Sequence, residues 1–145
     1  MIEYRVRCSN GFFCGDVTMY ANHDDLRKAA DILNGFPLDR GDSRALELGT
    51  FQPHTAGGGI QAEFYCVDSV GHAIVSVKLR DDACKSMGEA QSVCLQIPVE
   101  AGAIDSFVSQ ARSIVCATGK NAHLQMADHT ADWVRRYFER AAARK

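Results

Sequence analysis

The stretch Ile60-Gln61-Ala62-Glu63-Phe64-Tyr65-Cys66-Val67, the turn Asp68-Ser69-Val70-Gly71 and the return arm Ala73-Ile74-Val75-Ser76-Val77-Lys78-Leu79-Arg80 decide the fold class. In the first arm Ile60, Ala62, Phe64 and Cys66 alternate with polar or amphipathic residues. In the second, Val75, Val77 and Leu79 alternate with Ser76, Lys78 and Arg80. A period of two marks a strand with one face buried. Two such arms joined by a short segment of turn formers make an antiparallel hairpin.

Outward from this hairpin the same period recurs. Ala45 to Phe51, carrying Leu46 and Leu48, is an expected strand before it, and Ser92 to Pro98, with Val93, Leu95 and Ile97 inward, one after it. Pro98 is expected to close that strand, because proline donates nothing to a ladder. At the start of the chain Ile2, Tyr4, Val6 and Cys8 alternate with Glu3, Arg5 and Arg7. Ser9-Asn10-Gly11 then turns the chain into a second strand over Phe12 to Tyr20, with Phe13, Val17 and Met19 on one side.

Three segments carry helical spacing. Asn22 is a candidate N-cap, with Asp24 and Asp25 in the first turn and an apolar stripe of Leu26, Ala29, Ala30 and Leu33 before Asn34-Gly35 and Pro37. Ile104, Phe107, Val108, Ala111, Ile114 and Val115 form a second stripe, with Gly119 as its stop. Asn121 is read as the cap of a last helix running to about Ala143, with Leu124, Ala127, Ala131, Val134 and Phe138 on one face and Trp133 and Tyr137 beside it. The expected fold is therefore α+β: a single antiparallel sheet of about six strands, in the order ββαββββαα, with the helices mainly on one face. The other face would be left to solvent, a ligand or a partner. Residues 1–145 read as a single domain, and 121–145 as a basic amphipathic helix that projects or docks on a second subunit.

Composition narrows the function. A chain of 145 residues buries roughly two-thirds of its unfolded surface, so it needs neither metal nor disulfide to fold. The six cysteines at 8, 14, 66, 84, 94 and 116 include no Cys-x-x-Cys and no zinc-finger spacing with histidine. With no secretory signal and no membrane-length apolar run, a cytoplasmic protein with reduced thiols is expected. The net charge of -2 argues against a general polyanion binder. It divides unevenly, however. Arg135 to Lys145 holds five basic residues and one acidic, hence +4, and the remainder of the chain carries -6. Dipole complementation at a helix end accounts for such a tail, as does docking on an acidic body with Trp133, Tyr137 and Phe138 supplying apolar contact. The tail lacks an adjacent basic groove and has few apolar anchors, so neither nucleic acid nor membrane is expected.

No motif assembles a catalytic centre. Gly57-Gly58-Gly59-Ile60-Gln61-Ala62 matches G-x-G-x-x-A in letters, but it enters a strand rather than a helix, so it reads as a loop or bulge. His123 and His129 are six apart, which does not align them on a helix; His129 and Asp132 could meet, as a solvated pair more readily than a metal half-site. Asp68 and His72 flank a turn and, with Cys66 or Ser69, can be drawn as a nucleophile–base–orienter set. No Gly-x-Ser-x-Gly elbow or oxyanion donor supports it. Asp81 and Asp82, with Glu89, form an acidic loop suited to a basic partner. The residues singled out for binding are Asp68, His72, Asp81, Asp82, Trp133 and Tyr137, with no catalytic or metal-ligating set and no cofactor.

Phe64-Tyr65-Cys66-Val67-Asp68 and Gly71-His72-Ala73 within Gly59 to Arg80, followed by Ile97-Pro98-Val99-Glu100 and Ile104-Asp105-Ser106-Phe107-Val108, resemble small uncharacterised bacterial proteins similar to WapI-type immunity proteins of polymorphic toxin systems. The likeness spans roughly residues 11 to 115 and lies in strands and turns. It implies a non-enzymatic, cytoplasmic protein that binds a partner such as a toxin, and it assigns no functional residue; a homo-oligomer is compatible with this and with each alternative. The alternatives are a small-molecule binding domain with its ligand between sheet and helix, and a small hydrolase-like enzyme using Asp68 and His72.

Overall fold

The structure, a computed structural model, describes residues 1–51, 57–81, 91–114 and 121–143. Its elements follow the order β1 (Ile2–Ser9), β2 (Cys14–Ala21), α1 (Asp25–Leu33), β3 (Ser43–Gly49), β4 (Gly59–Cys66), β5 (His72–Arg80), β6 (Ser92–Glu100), α2 (Ala101–Ser113) and α3 (Asp132–Ala143). The class is α+β and the order ββαββββαα, as the alternation requires. The single six-stranded sheet is corrected. β1 and β2 form a separate two-stranded antiparallel sheet, and β3-β4-β5-β6 form a four-stranded antiparallel one.

The separation has a local cause. β2 does not join an edge of the larger sheet but crosses its inner face. A side chain at Gly15 would strike Val93 and Leu79, and one at Gly58 would strike Val17 and the carbonyl of Arg80. The Gly58 N–H donates to Thr18 O at 2.9 Å, which pins β2 there. Glycine at 15 and 58 is what lets two layers of backbone approach this closely. The inner face of the four-stranded sheet, with Ile60, Ala62, Phe64, Cys66, Ala73, Val75, Val77, Leu79 and Val99 in it, makes one core with Val17 and Met19 of β2, Ala30 and Leu33 of α1 and Ile104, Val108 and Ala111 of α2. Phe36, 2% exposed, seats its ring edge-on to Phe64.

β3, at Ser43–Gly49, is shifted from the expected span of Ala45 to Phe51, and α2 ends at Ser113 with Ile114 extended; three further boundaries move. The second strand begins at Cys14, because the Asn10 side chain accepts the N–H groups of Phe12 and Phe13 and leaves both rings in solvent. Pro98 does not end β6. It pairs with Ile74 in register, and the strand runs on to Glu100. β6 is an edge strand of its sheet, where a missing N–H costs no ladder bond. The last helix starts at Asp132, not at Asn121. Ala127 N–H donates to Pro98 O, Met126 bridges Val99, and Asp128 turns the chain by accepting from Thr130. The segment ahead of α3 is thus spent on the edge of β6, and helical periodicity over 121–131 gives way to that pairing.

Arg44 ties the helical layer to β3. Its guanidinium donates to the carbonyls of Ile32 and Asn34 at the end of α1, pairs with Asp42 and lies over the Phe36 ring. Arg112 of α2 reaches Asp31 at 2.8 Å. Among the described residues no helix is long and apolar enough to cross a membrane.

Candidate functional site: an uncovered groove on the sheet

The outer face of the four-stranded sheet follows from the register. Reading from β3 to β6, its rows are Ser43–Tyr65–Ile74–Pro98, Ala45–Glu63–Ser76–Gln96, Glu47–Gln61–Lys78–Cys94 and Gly49–Gly59–Arg80–Ser92. The first and last rows are covered only in part: Ile74, Pro98 and Gly59 are buried, while Ser43, Tyr65 and Ser92 stay exposed. His72, just beyond Ile74 on the same side of β5, stacks on Trp133, which brings the start of α3 over that end; Ile74, Pro98 and Val134 are buried. At the other end Phe51 lies across the sheet. A side chain on Gly59 would meet its ring at 2.8 Å, the Lys78 ammonium stands over that ring, and the Arg80 guanidinium donates to the Phe51 carbonyl.

The middle rows line an open hollow of ≈ 630 Å³. All of their side chains are exposed except Gln61, which is half-buried. With steps of about 6.7 Å for every second residue and about 4.8 Å between strands, these two rows cover a patch of roughly 13 Å along the strands and about 14 Å across them. Its floor mixes short side chains, Ala45, Ser76 and Cys94, with longer polar ones. The Gln61 amide donates to Glu47 at 3.1 Å and Ser43 Oγ to Glu63 at 3.3 Å. Among the described residues neither carboxylate has a basic partner within salt-bridge distance, nor has Lys78 an acidic one. The groove is therefore acidic over β3 and β4 and basic over β5.

The residues singled out from sequence fall in three places. Asp68, His72 and Trp133 come together: the Asp68 carboxylate meets His72 Nδ1 at 2.5 Å, and the imidazole lies on the indole. Asp68 also accepts the backbone N–H groups of Val70 and His72. Partial burial pushes this carboxyl up, but the hydrogen bonds from His72 and Val70 and the nearby His72 charge outweigh it and hold it below its usual range. The Cys66 thiol donates to Asp68 O, which directs it to backbone rather than to the imidazole. The pair thus fixes the β4–β5 turn and anchors α3. Tyr137 packs edge-on against Phe138 on α3. Asp81 closes the ends of β5 and β6 through its N–H to Gln91 O, away from the Asp68 cluster. Asp82, Cys84, Glu89, Gly119 and the last two basic residues lie outside the described residues. His129 does not meet Asp132: its Nε2 is 2.6 Å from Asn10 O, and Asp132 pairs with Arg135.

The groove residues Glu47, Gln61, Glu63, Cys94 and Gln96 were not singled out from sequence. Their signal is present, since each is an outward position of an alternating strand. What the alternation lacks is the register that lays four such strands side by side. The triple glycine has a structural use: Gly58 admits β2 on one face of the sheet and Gly59 admits Phe51 on the other. Comparison of the chain with protein-family models, with curated proteins and with solved structures finds no match.

Proposed function

We propose that this chain is a non-enzymatic protein-binding module, of the immunity type, whose partner protein docks on the groove of the outer sheet face. The observation that carries the reading is that face: four strands wide, polar, exposed at its centre and backed by a well-packed core. A sheet with one face packed and one exposed is ordinary. An exposed hollow with charges of both signs that form no salt bridge among the described residues is a more specific surface, because complementary charge selects partners and fixes their register. The hollow suits a macromolecule better than a small ligand, which needs 70–90% of its surface enclosed. The Asp68–His72 pair supports the same reading, since its hydrogen bonds and ring stacking are taken up in holding a turn and a helix.

Co-expression with the products of the genes flanking this one tests it. The expected result is a stable complex that purifies as one species, relief of any toxicity of the partner, and loss of both on Ser76→Arg, which fills the groove floor. A failure of both products to bind, or a complex indifferent to Ser76→Arg, overturns the proposal.

A further inference from the structure

We infer that the outer edge of β1 pairs with the same edge of a second copy of this chain, antiparallel about Tyr4, so that Glu3 of each copy lies opposite Arg5 of the other. This surface belongs to the two-stranded sheet and is separate from the groove. The direction of the peptide groups shows that the edge is open. Thr18 O accepts the Gly58 N–H, so it points away from β1, and Thr18 is the register partner of Arg5. In an antiparallel ladder both members of such a pair turn their N–H and C=O outward. The Asn10 N–H, which donates to Phe13 O, fixes the same phase from the other end of the hairpin. Glu3, Arg5 and Arg7 therefore present their peptide groups on the far side of β1, and Tyr4, Val6 and Cys8 present theirs to β2. β1 pairs with β2 alone, and among the described residues nothing hydrogen-bonds the outward peptide groups of Glu3, Arg5 or Arg7. An unpaired edge of this kind is a template for another strand.

Charge names the occupant and the register. Charged side chains ordinarily keep edges apart, but β1 carries both signs on one exposed face, with Glu3, Arg5 and Arg7 at successive outward positions. When two copies pair about Tyr4, Glu3 meets Arg5 on both sides of the axis, and each such pair exchanges both of its backbone hydrogen bonds. Pairing about Glu3 or about Arg5 sets that residue against itself, and pairing about Val6 sets Arg5 against Arg7. All three place like charges directly opposite, which is destabilising. The register about Tyr4 does not. The contacts within one chain leave atoms for the new pair: Asp16 takes the Nε and Nη2 donors of Arg5, and Tyr20 donates to Oε2 of Glu3, so Nη1 and Oε1 face the second copy. On the opposite side of the strand Tyr4 comes beside Tyr4 and Ile2 beside Val6, all half-buried in the single chain, so the join adds apolar contact as well.

Sedimentation of the full chain over a range of concentrations tests this, with the fold of each variant checked by circular dichroism. The native chain is expected to form a dimer. Glu3→Lys sets lysine against Arg5, and Arg5→Glu sets glutamate against Glu3, so each variant alone should dimerise about tenfold or more less tightly. Mixed together, the two variants should recover a dimer, because the new lysine then faces the new glutamate and the native Arg5 faces the native Glu3. In the unsubstituted chain, amide exchange at Glu3 and Arg5 should slow as concentration rises, while Tyr4 and Val6, bonded to β2, stay protected throughout. Ser76→Arg, in the groove, should leave the dimer unchanged, so that failure here and failure of the groove proposal are told apart. A chain that remains monomeric, with exchange at Glu3 and Arg5 independent of concentration, overturns the inference. So does a dimer that survives both single variants, or a pair of folded variants that fail to combine. Where a variant does not fold, the exchange at Glu3 and Arg5 of the native chain decides.

Discussion

The imidazole of His72 lies flat on the indole of Trp133, with ring centroids 4.3 Å apart and planes 4° from parallel, while its Nδ1 is held by Asp68. This contact joins the beginning of β5 to the beginning of α3, two elements sixty residues apart. Because position 133 carries the chain's one tryptophan, the contact reports on itself.

His72→Ala is expected to shift the tryptophan emission to the red and to speed amide exchange in α3, leaving β4 and β5 protected. An offset aromatic pair contributes about 1 kcal/mol beyond its buried area, so the loss of stability should be of that order. Emission and exchange that match the native protein would show that α3 is held by Val134 and its neighbours instead.

The same contact should loosen in acid. The Asp68 carboxyl is depressed in the folded chain, so its contribution is fully present above the unfolded value, about 3.9, and is lost as pH falls through the lower folded value. Tryptophan emission should therefore show a step as the pH falls below about 4. In Asp68→Asn that acid step should disappear. A step of unchanged size in the variant would assign it to another carboxylate.

Substitution of glycines should separate two kinds. Gly58→Ala puts a methyl group into the Arg80 carbonyl and the Val17 side chain between two packed layers, with no flexible neighbour on the carbonyl side. It should cost roughly 1–3 kcal/mol, the range of an overpacked core, or prevent folding. Gly102→Ala, exposed in the first turn of α2 with open space around it, should stabilise by roughly 0.5–1 kcal/mol through the unfolded state. Denaturant midpoints of the two variants moving in opposite directions would meet the expectation; a tolerated Gly58→Ala would mean that β2 does not cross the sheet at this point.

Much of this fold is legible as alternation. Ile60 to Cys66 and Ala73 to Leu79 carry their faces in plain view, and so do Ile2 to Cys8. What alternation lacks is information on which strands share a sheet. Nothing in Val17 or Met19 alone says that β2 lies across Leu79 and Val93 rather than beside β3; that depends on the absent side chains of Gly15 and Gly58, which read as loop signals one at a time. The stretch 121–131 shows the converse. Leu124, Ala127 and Ala131 have helical spacing, yet Ala127 and Met126 gain more by completing the edge of β6. The groove was hidden for the first reason, because Glu47, Gln61, Lys78 and Cys94 are remote in sequence and adjacent only through three pairing registers.

Cys94, at the end of the Glu47–Gln61–Lys78 row, gives the groove a direct reporter. Among the described cysteines Cys14 and Cys94 are exposed, Cys66 is buried, and burial pushes the half-buried Cys8 thiol up to about 11. At pH 8 only about one in a thousand Cys8 thiols is ionised, so Cys8 should react on the order of a hundredfold more slowly than an ordinary exposed thiol. In a Cys84→Ser, Cys116→Ser background, a chromogenic disulfide reagent should therefore give two fast thiols, Cys14 and Cys94. Addition of the partner should protect Cys94 and leave Cys14, at the hairpin end of β2, as reactive as before. Prior labelling of Cys94 with a bulky reagent should in turn block the complex. If Cys94 stays fully reactive in a saturated complex, the partner sits elsewhere, since a protein docked on the groove covers the row that Cys94 completes.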